Sequence, residues 1–389
     1  MNRLHSVRRR IAIAPGLVLA SMLTLPSASF ALDSSLQIGQ YAHTSWTIRD
    51  GYSLGIVFAM AQTPDGYLWL ASEFGLFRFD GIQFTRWQPP RGQELPDKPY
   101  SLLVSRDGTL WIGTFAGLVR WNGTELIRYP AIDNLFVTSL LEDSEGTVWA
   151  GALANRGRLC AIRGVDAECH GEDGAFGTFV WSLAQDSAGV LWAGADSGLW
   201  RWKPGVPERY GTPGRVGDLI TTSDGELLIG MRGAGLKRVA GDGLEAYPIR
   251  RAGNQAERLP DQDVNSNKLL RDREGSVWIG TAGRGLIHVQ NGKADTFTKA
   301  DGLSGNIACS LFEDREGNIW FASERGLDRF RKLPITTISV QQGLSSDVTK
   351  SVLAAKDGSI WIATSDGVTR WKDQQPTVFR TESGLPDDD

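Results

Sequence analysis

Asp107-Gly108-Thr109-Leu110-Trp111-Ile112-Gly113-Thr114-Phe115-Ala116-Gly117-Leu118-Val119-Arg120-Trp121 is the stretch that decides the fold. An Asp-Gly turn opens a short run containing a Trp and, two residues on, a small residue; a second Gly then starts another short run. Side chains two apart share one face of a strand, and Gly takes the positive φ that closes a hairpin without splaying it. The same order returns at Asp65 to Phe79. The Trp recurs as Trp69, Trp149, Trp192, Trp278, Trp320 and Trp361, and Leu228 stands in its place in the fifth copy. The repeat Gly falls at 66, 108, 146, 189, 225, 275, 317 and 358, a spacing of 36 to 50 residues. A period near 40 with short strands is that of an all-β propeller, one four-stranded blade per copy.

In the second copy, Tyr100 to Val104, Leu110 to Gly113, Leu118 to Trp121 and Leu126 to Tyr129 read as strands a to d, inner to outer. The a–b turn is Asp-x-x-Gly at Asp143, Asp186, Asp272 and Asp314. Asp suits the first position because its carboxylate accepts local backbone N–H groups. The residue two after the Trp is small in every copy: Ala71, Gly113, Gly151, Gly194, Gly230, Gly280, Ala322 and Ala363. The expectation is that a Trp of one blade packs over its neighbour's gap, so that the Trp set forms the inter-blade core.

The pattern at 107–121, with the connectors Asp301-Gly302-Leu303-Ser304 and Gly343-Leu344-Ser345-Ser346, resembles the two-component regulator propeller repeat. The resemblance runs from about residue 41 to 385. It implies a periplasmic ligand-sensing region of the kind that precedes a β-sandwich, a membrane helix and a histidine kinase or diguanylate cyclase. It also implies propellers of seven blades in pairs. Composition agrees with an all-β repeat, since 46 Gly mean many tight turns and 14 Trp mean one packing solution reused. A net charge of −4 gives no basic footprint for nucleic acid.

Residues 1–31 read as a secretory signal peptide: Arg3, Arg8, Arg9 and Arg10, then an apolar run from Ile11 to Leu25, then Ser29-Phe30-Ala31. The mature chain is expected in the periplasm with no membrane span. His43 to Ile48 resembles an outer strand without its own blade. It is expected to close a seven-bladed ring over 32–334 by completing blade seven, with 335–389 as the first blade of a second, truncated propeller. The competing reading is one eight-bladed ring, against which stands a further outer strand at Thr377 to Arg380 that leaves no vacancy.

Catalytic chemistry is not expected. The histidines of the mature chain are His43, His170 and His288, and His288 stands where other copies place a strand-c Arg. No metal, nucleophile or cofactor motif is present. Cys160 and Cys169 flank Gly164-Val165 symmetrically, which places them opposite one another across a hairpin; a disulfide between them suits an exported chain. Cys309 is expected to be buried and free.

Any ligand is expected at one mouth of the ring, where the b–c loops carry Glu73, Phe74, Phe115, Arg156, Asp196, Arg232, Arg284 and Arg325. Four Arg with two aromatics suit an anion or a glycan. The leading expectation is a non-enzymatic extracytoplasmic sensor propeller. Its rivals are a propeller lyase resembling the streptogramin-inactivating enzymes and a protein-binding scaffold. An unfinished second propeller also implies self-association through its open face.

Overall fold

A computed structural model describes residues 38–389 apart from 204–205, 213, 223, 232, 242, 252–265, 333–337, 374 and 389. The expected signal peptide, Arg232 and the boundary at 334–335 lie outside the described residues. Those described form strands and short 3-10 turns, with no α-helix among them. Seven sheets contain four strands, and blade six has a fifth, because Arg250–Arg251 adds in parallel to its outer strand Lys293–Phe297.

The inner strands of blades one to seven are Val57–Gln62, Pro99–Val104, Phe136–Glu142, Val180–Gln185, Val216–Thr221, Ser266–Arg271 and Ala308–Glu313. They adjoin one another in that order, and the seventh lies beside the first. The ring is closed by Ala42–Thr47, which pairs antiparallel with Gly326–Arg331 from Ala42↔Arg331 to Thr47↔Gly326. An N-terminal strand thus supplies the outer edge of blade seven. The fold is a seven-bladed propeller followed by an eighth sheet, Thr349–Ala354, Ile360–Thr364, Gly367–Lys372 and Gln375–Phe379. The inner strand of that eighth sheet is exposed along its whole length.

Seven hydrophobic clusters fill the seven blade interfaces. Trp69 packs with Leu110 and Ile112 of blade two, and Trp111 with Val148 and Ala150 of blade three. Trp149 meets Leu191 and Ala193, Trp192 meets Leu227 and Ile229, and Trp278 meets Ile319 and Phe321. Trp320 crosses the seam to Leu68 and Leu70, while Leu228 occupies the equivalent place between blades five and six. The gap beside each Trp is filled differently from expectation. A Cβ on Gly113 would stand 2.2 Å from Ser101 Oγ and 2.6 Å from Val137 Cγ1, and one on Gly194 would stand 2.5 Å from Val216 Cγ1. The first inner-strand residues of the next blade, not its Trp, close against that glycine.

The Trp indoles are tied to their own turns. Trp149, Trp192, Trp278 and Trp320 each donate Nε1–H to the Asp six residues earlier, at 2.7–2.8 Å. Thr63 and Ser105 accept in blades one and two, at 2.8 and 3.0 Å. The other oxygen of the turn Asp takes backbone N–H groups, as Asp143 Oδ1 does from Glu145 and Thr147. One carboxylate therefore fixes both the hairpin and the core ring.

Neighbouring turns are latched by a repeated contact. The N–H of Arg106 donates to Glu142 Oε2 (2.7 Å) while its guanidinium reaches the carbonyls of Asp143 and Ser144. Arg273 repeats this on Glu313, Asp314 and Arg315. Arg315 repeats it across the seam on Gln62, Thr63 and Pro64. The seam is built like the internal joints.

Candidate functional site

Every inner strand carries a β-bulge near its start, at its second residue or, in blade three, its third. The pairing steps from Val57 to Ala59, from Pro99 to Ser101, from Val137 to Ser139 and from Val180 to Ser182, and does so in each later blade. A bulge leaves one residue unpaired and re-aims its side chain. The residues so placed in the ring include Phe58, Tyr100, Thr138, Trp181, Gly217 and Cys309. They lie at the end of the ring that holds the b–c loops, because the start of strand a pairs with the end of strand b (Val57↔Ser72, Pro99↔Thr114).

Blades one to four bring aromatic rings together at this mouth. Phe58 stacks on Tyr100 at 5.0 Å, Phe115 on Phe136 at 4.4 Å, and Phe179 on Trp181 at 4.1 Å. Tyr100 joins the first pair to the second edge-on, at 5.5 Å from Phe115 and 4.6 Å from Phe136. Phe136 joins the second pair to the third at 6.4 Å and 90°. Trp181 donates Nε1–H to Asp196 Oδ1 (2.7 Å), and the Arg215 guanidinium stands over its face at 4.1 Å. Arg215 Nε and Asp196 Oδ1 are 3.9 Å apart. Thr138 turns aside, donating to the carbonyls of Gly151 and Val180.

Blades five and seven carry carboxylates near this end of the ring. Asp218 accepts N–H from Leu219 and Leu269, and burial raises its carboxyl while Lys268 opposes the shift. Glu324 Oε2 accepts the Ile307 N–H at 2.9 Å. Cys309 is half-buried rather than buried, a correction that its bulged position explains. Burial, and then Glu324, push its thiol up to about 11, so it stays protonated near neutrality.

The expected loop residues divide accordingly. Phe115 and Asp196 belong to the aromatic array. Glu73 and Phe74 are exposed beside Gly55, whose positive φ of 67° lets the connector pass against them. Arg284 and Arg325 are exposed, and Arg325 Nε lies 3.6 Å from Glu324 Oε1. Arg156 donates to the Glu172 carbonyl at 3.4 Å, toward its own blade's outer connector. Phe58, Tyr100, Phe136, Phe179, Trp181 and Arg215 were not anticipated.

The histidines are occupied elsewhere. His288 lies opposite Trp278 in the register that holds Arg120 opposite Trp111, with its ring 4.3 Å from the indole. His170 ends the outer strand of blade three, and His43 lies in the closing strand. Among the described residues no group of three or more His, Cys, Asp and Glu side chains is placed to hold a metal ion. Cys160 and Cys169 face one another in the c–d pair of blade three and are joined by a disulfide. No helix among the described residues is long and apolar enough to cross a membrane.

Fold and joints together define a seven-bladed β-propeller with an aromatic half-mouth. Residues 302–325 match the family model "Two component regulator propeller", and that segment spans the connector and Trp strand that recur along the chain. That segment is similar to the two-component regulator propeller repeat. Among solved structures it resembles the extracellular domain of the putative hybrid two component system BT3049 from B. thetaiotaomicron, with a TM-score of 0.64 and 19% identity over 87% of this chain and 49% of that one. The corresponding domain of BT4673 from the same organism gives 0.58 and 18%, over 87% and 53%. The chain thus spans about half the length of those two domains. A catalytically inactive virginiamycin B lyase from Staphylococcus aureus, solved with quinupristin, gives 0.59 and 14%, over 76% and 100%. These likenesses are of fold. No curated protein sequence matches the chain.

Proposed function

We propose that this chain is a non-enzymatic, extracytoplasmic ligand-sensing propeller, the sensor part of a two-component or cyclic-di-GMP signalling protein whose output region lies outside it. The observation that carries this reading is the run of rings from Phe58 to Trp181, gathered from four blades at one mouth. Three of the rings, Phe58, Tyr100 and Trp181, are held at bulges on inner strands, a placement that serves recognition better than stability, since the blade interfaces are already filled by the Trp clusters. The repeats, and the extracellular placement of the two domains of similar fold, support a sensor outside the cytoplasm. The Cys160–Cys169 disulfide suits an oxidising compartment such as the periplasm. In this reading residues 32–334 are the sensing ring, and 335–389 are the first blade of a second propeller.

The lyase reading draws on fold likeness alone, and neither His170 nor His288 joins the rings at the mouth. Thermal-shift screening of the purified chain against small organic acids and glycans tests the proposal. A ligand should raise the melting temperature, and Phe115→Ala with Trp181→Ala should abolish the rise while the unliganded protein still melts cooperatively. A ligand-induced rise that survives both substitutions places the site elsewhere.

A further inference from the structure

Resting on that reading, we propose that the mouth takes a small, neutral aromatic compound with one hydrogen-bonding oxygen, its ring beside Phe115 and its oxygen on the Tyr100 hydroxyl. The argument begins with the polar atoms that the ring array has left to offer. The side chains of Phe58, Phe115, Phe136 and Phe179 have none. The Trp181 indole N–H already donates to Asp196 Oδ1 at 2.7 Å. The hydroxyl of Tyr100, a half-buried residue, has no hydrogen-bond partner among the described residues and is not sealed from solvent.

Other hydroxyls in comparable places are used within the fold. Tyrosine hydroxyls ordinarily find a partner when buried. Tyr52 donates to the Gly55 carbonyl at 3.0 Å and Tyr129 to the Gly164 carbonyl at 3.1 Å. Thr138, at the bulge of the next blade, turns its hydroxyl onto the carbonyls of Gly151 and Val180. Tyr100 is instead fixed by its ring alone. It stacks on Phe58 at 5.0 Å and meets Phe115 and Phe136 edge-on at 5.5 and 4.6 Å. Three rings hold it, so the hydroxyl keeps its place without a bond of its own. A group fixed in that way is preorganised for a bond from outside.

One free hydroxyl among phenyl rings sets the chemistry of the ligand. A polar group carried into such a place without a partner weakens binding, and an unpaired charge weakens it more. A sugar brings several hydroxyls and a carboxylate brings a charge, where the rings have a single hydroxyl to meet them. The charges at the Trp181 end, Asp196 and Arg215, already face one another at 3.9 Å. An aromatic ring with one oxygen leaves nothing unmatched. Phe115, 38% exposed, is available to the ring through the edge and face contacts that aromatic groups prefer, and Tyr100 takes the oxygen.

Ligand-observed NMR titration of the full chain with acetophenone, isopropenylbenzene, benzoate and glucose tests this. Isopropenylbenzene has the shape of acetophenone with CH2 in place of the oxygen. Acetophenone should bind saturably and isopropenylbenzene about fivefold more weakly, the effect of one hydrogen bond. Benzoate should bind about tenfold or more weakly than acetophenone, for want of a partner for its charge. Tyr100→Phe, which removes one oxygen and keeps the ring, should erase the difference between ketone and alkene and leave the alkene's affinity unchanged. Phe115→Ala should abolish binding of both, with each variant retaining the cooperative melt of the parent. Equal binding of ketone and alkene overturns the proposal, as does a difference that survives Tyr100→Phe, tighter binding of benzoate, or failure of acetophenone to bind. If glucose or another screened compound binds in a Phe115-dependent way while acetophenone does not, the ligand class falls and the sensing mouth stands. If nothing depends on Phe115, both fall.

Discussion

His43 Nε2 lies 2.8 Å from Asp328 Oδ1, a hydrogen bond between residues 285 apart in sequence that joins the first strand of the ring to the last. Asp328 is fully buried and also accepts from the Ser304 backbone N–H and hydroxyl. His43 stacks on Phe330 at 4.8 Å, so the closing strand is held by packing and by a buried acceptor together. Asp328→Ala strands the Ser304 donors and the imidazole at once. It should cost about 2–3 kcal/mol, the scale of leaving buried donors without their acceptor, whereas His43→Ala should cost about 1 kcal/mol. Urea unfolding followed by tryptophan fluorescence measures both. Equal and negligible losses would show that the strand pairing alone closes the ring.

The turn latch predicts a pH dependence. Glu313 accepts the Arg273 N–H at 3.1 Å, in the place that Gln62 and Gln185 hold toward Arg315 and Ser144. Burial pushes its carboxyl up to about 7, against the pull of Arg273. A carboxyl whose folded pKa is raised holds its proton more tightly folded than unfolded. Its contribution is therefore most favourable below about 4.5 and declines as pH rises to about 7. Glu313→Gln keeps the acceptor and removes the titration. The variant's melting temperature should gain on the parent's between pH 5 and 8, and a constant difference over that range would refute the assignment.

Gly113 shows how little room the blade joint leaves. A Cβ there would meet Ser101 Oγ at 2.2 Å and Val137 Cγ1 at 2.6 Å. Gly113→Ala should lose about 1–3 kcal/mol by overpacking, and the added change Val137→Ala should return part of the loss. Denaturant midpoints for the two single variants and the double variant give the coupling. Strict additivity would mean that the two residues do not share the gap.

The blades were legible because their signals are local: Asp-Gly turns, alternation and a recurring Trp each act within a few residues. The closing strand was legible as a strand lacking its own blade. The mouth was legible only in part. Phe115 and Asp196 fall in the array, but Arg156 turns to the Glu172 carbonyl, because a loop side chain's direction follows from local backbone geometry that residue period does not encode. Phe58, Tyr100 and Trp181 escaped notice because alternation assigns them to a strand face, and the bulge then removes them from it. A signal was available: each lies 11 residues before the repeat Trp of its copy. The Trp–Asp tie was hidden for a similar reason, since Asp already had a sufficient role in the turn.

The Cys160–Cys169 disulfide lies between the third and fourth strands of blade three, with Cys160 fully buried. Both residues join the cluster around Trp111 and Tyr129, whose hydroxyl donates to the Gly164 carbonyl in the same hairpin. The bond closes a short loop, so by chain entropy it should contribute about 2–3 kcal/mol. It should also tie the outer strand of blade three to the core shared with blade two. Cys160→Ala with Cys169→Ala should lower the denaturant midpoint accordingly, and a reducing agent should lower the parent's but not the variant's. Because the aromatic mouth is built on inner strands, ligand affinity should be unchanged in that variant. An affinity loss without a stability loss would mean that the outer hairpin, rather than the bulged inner strands, positions the rings.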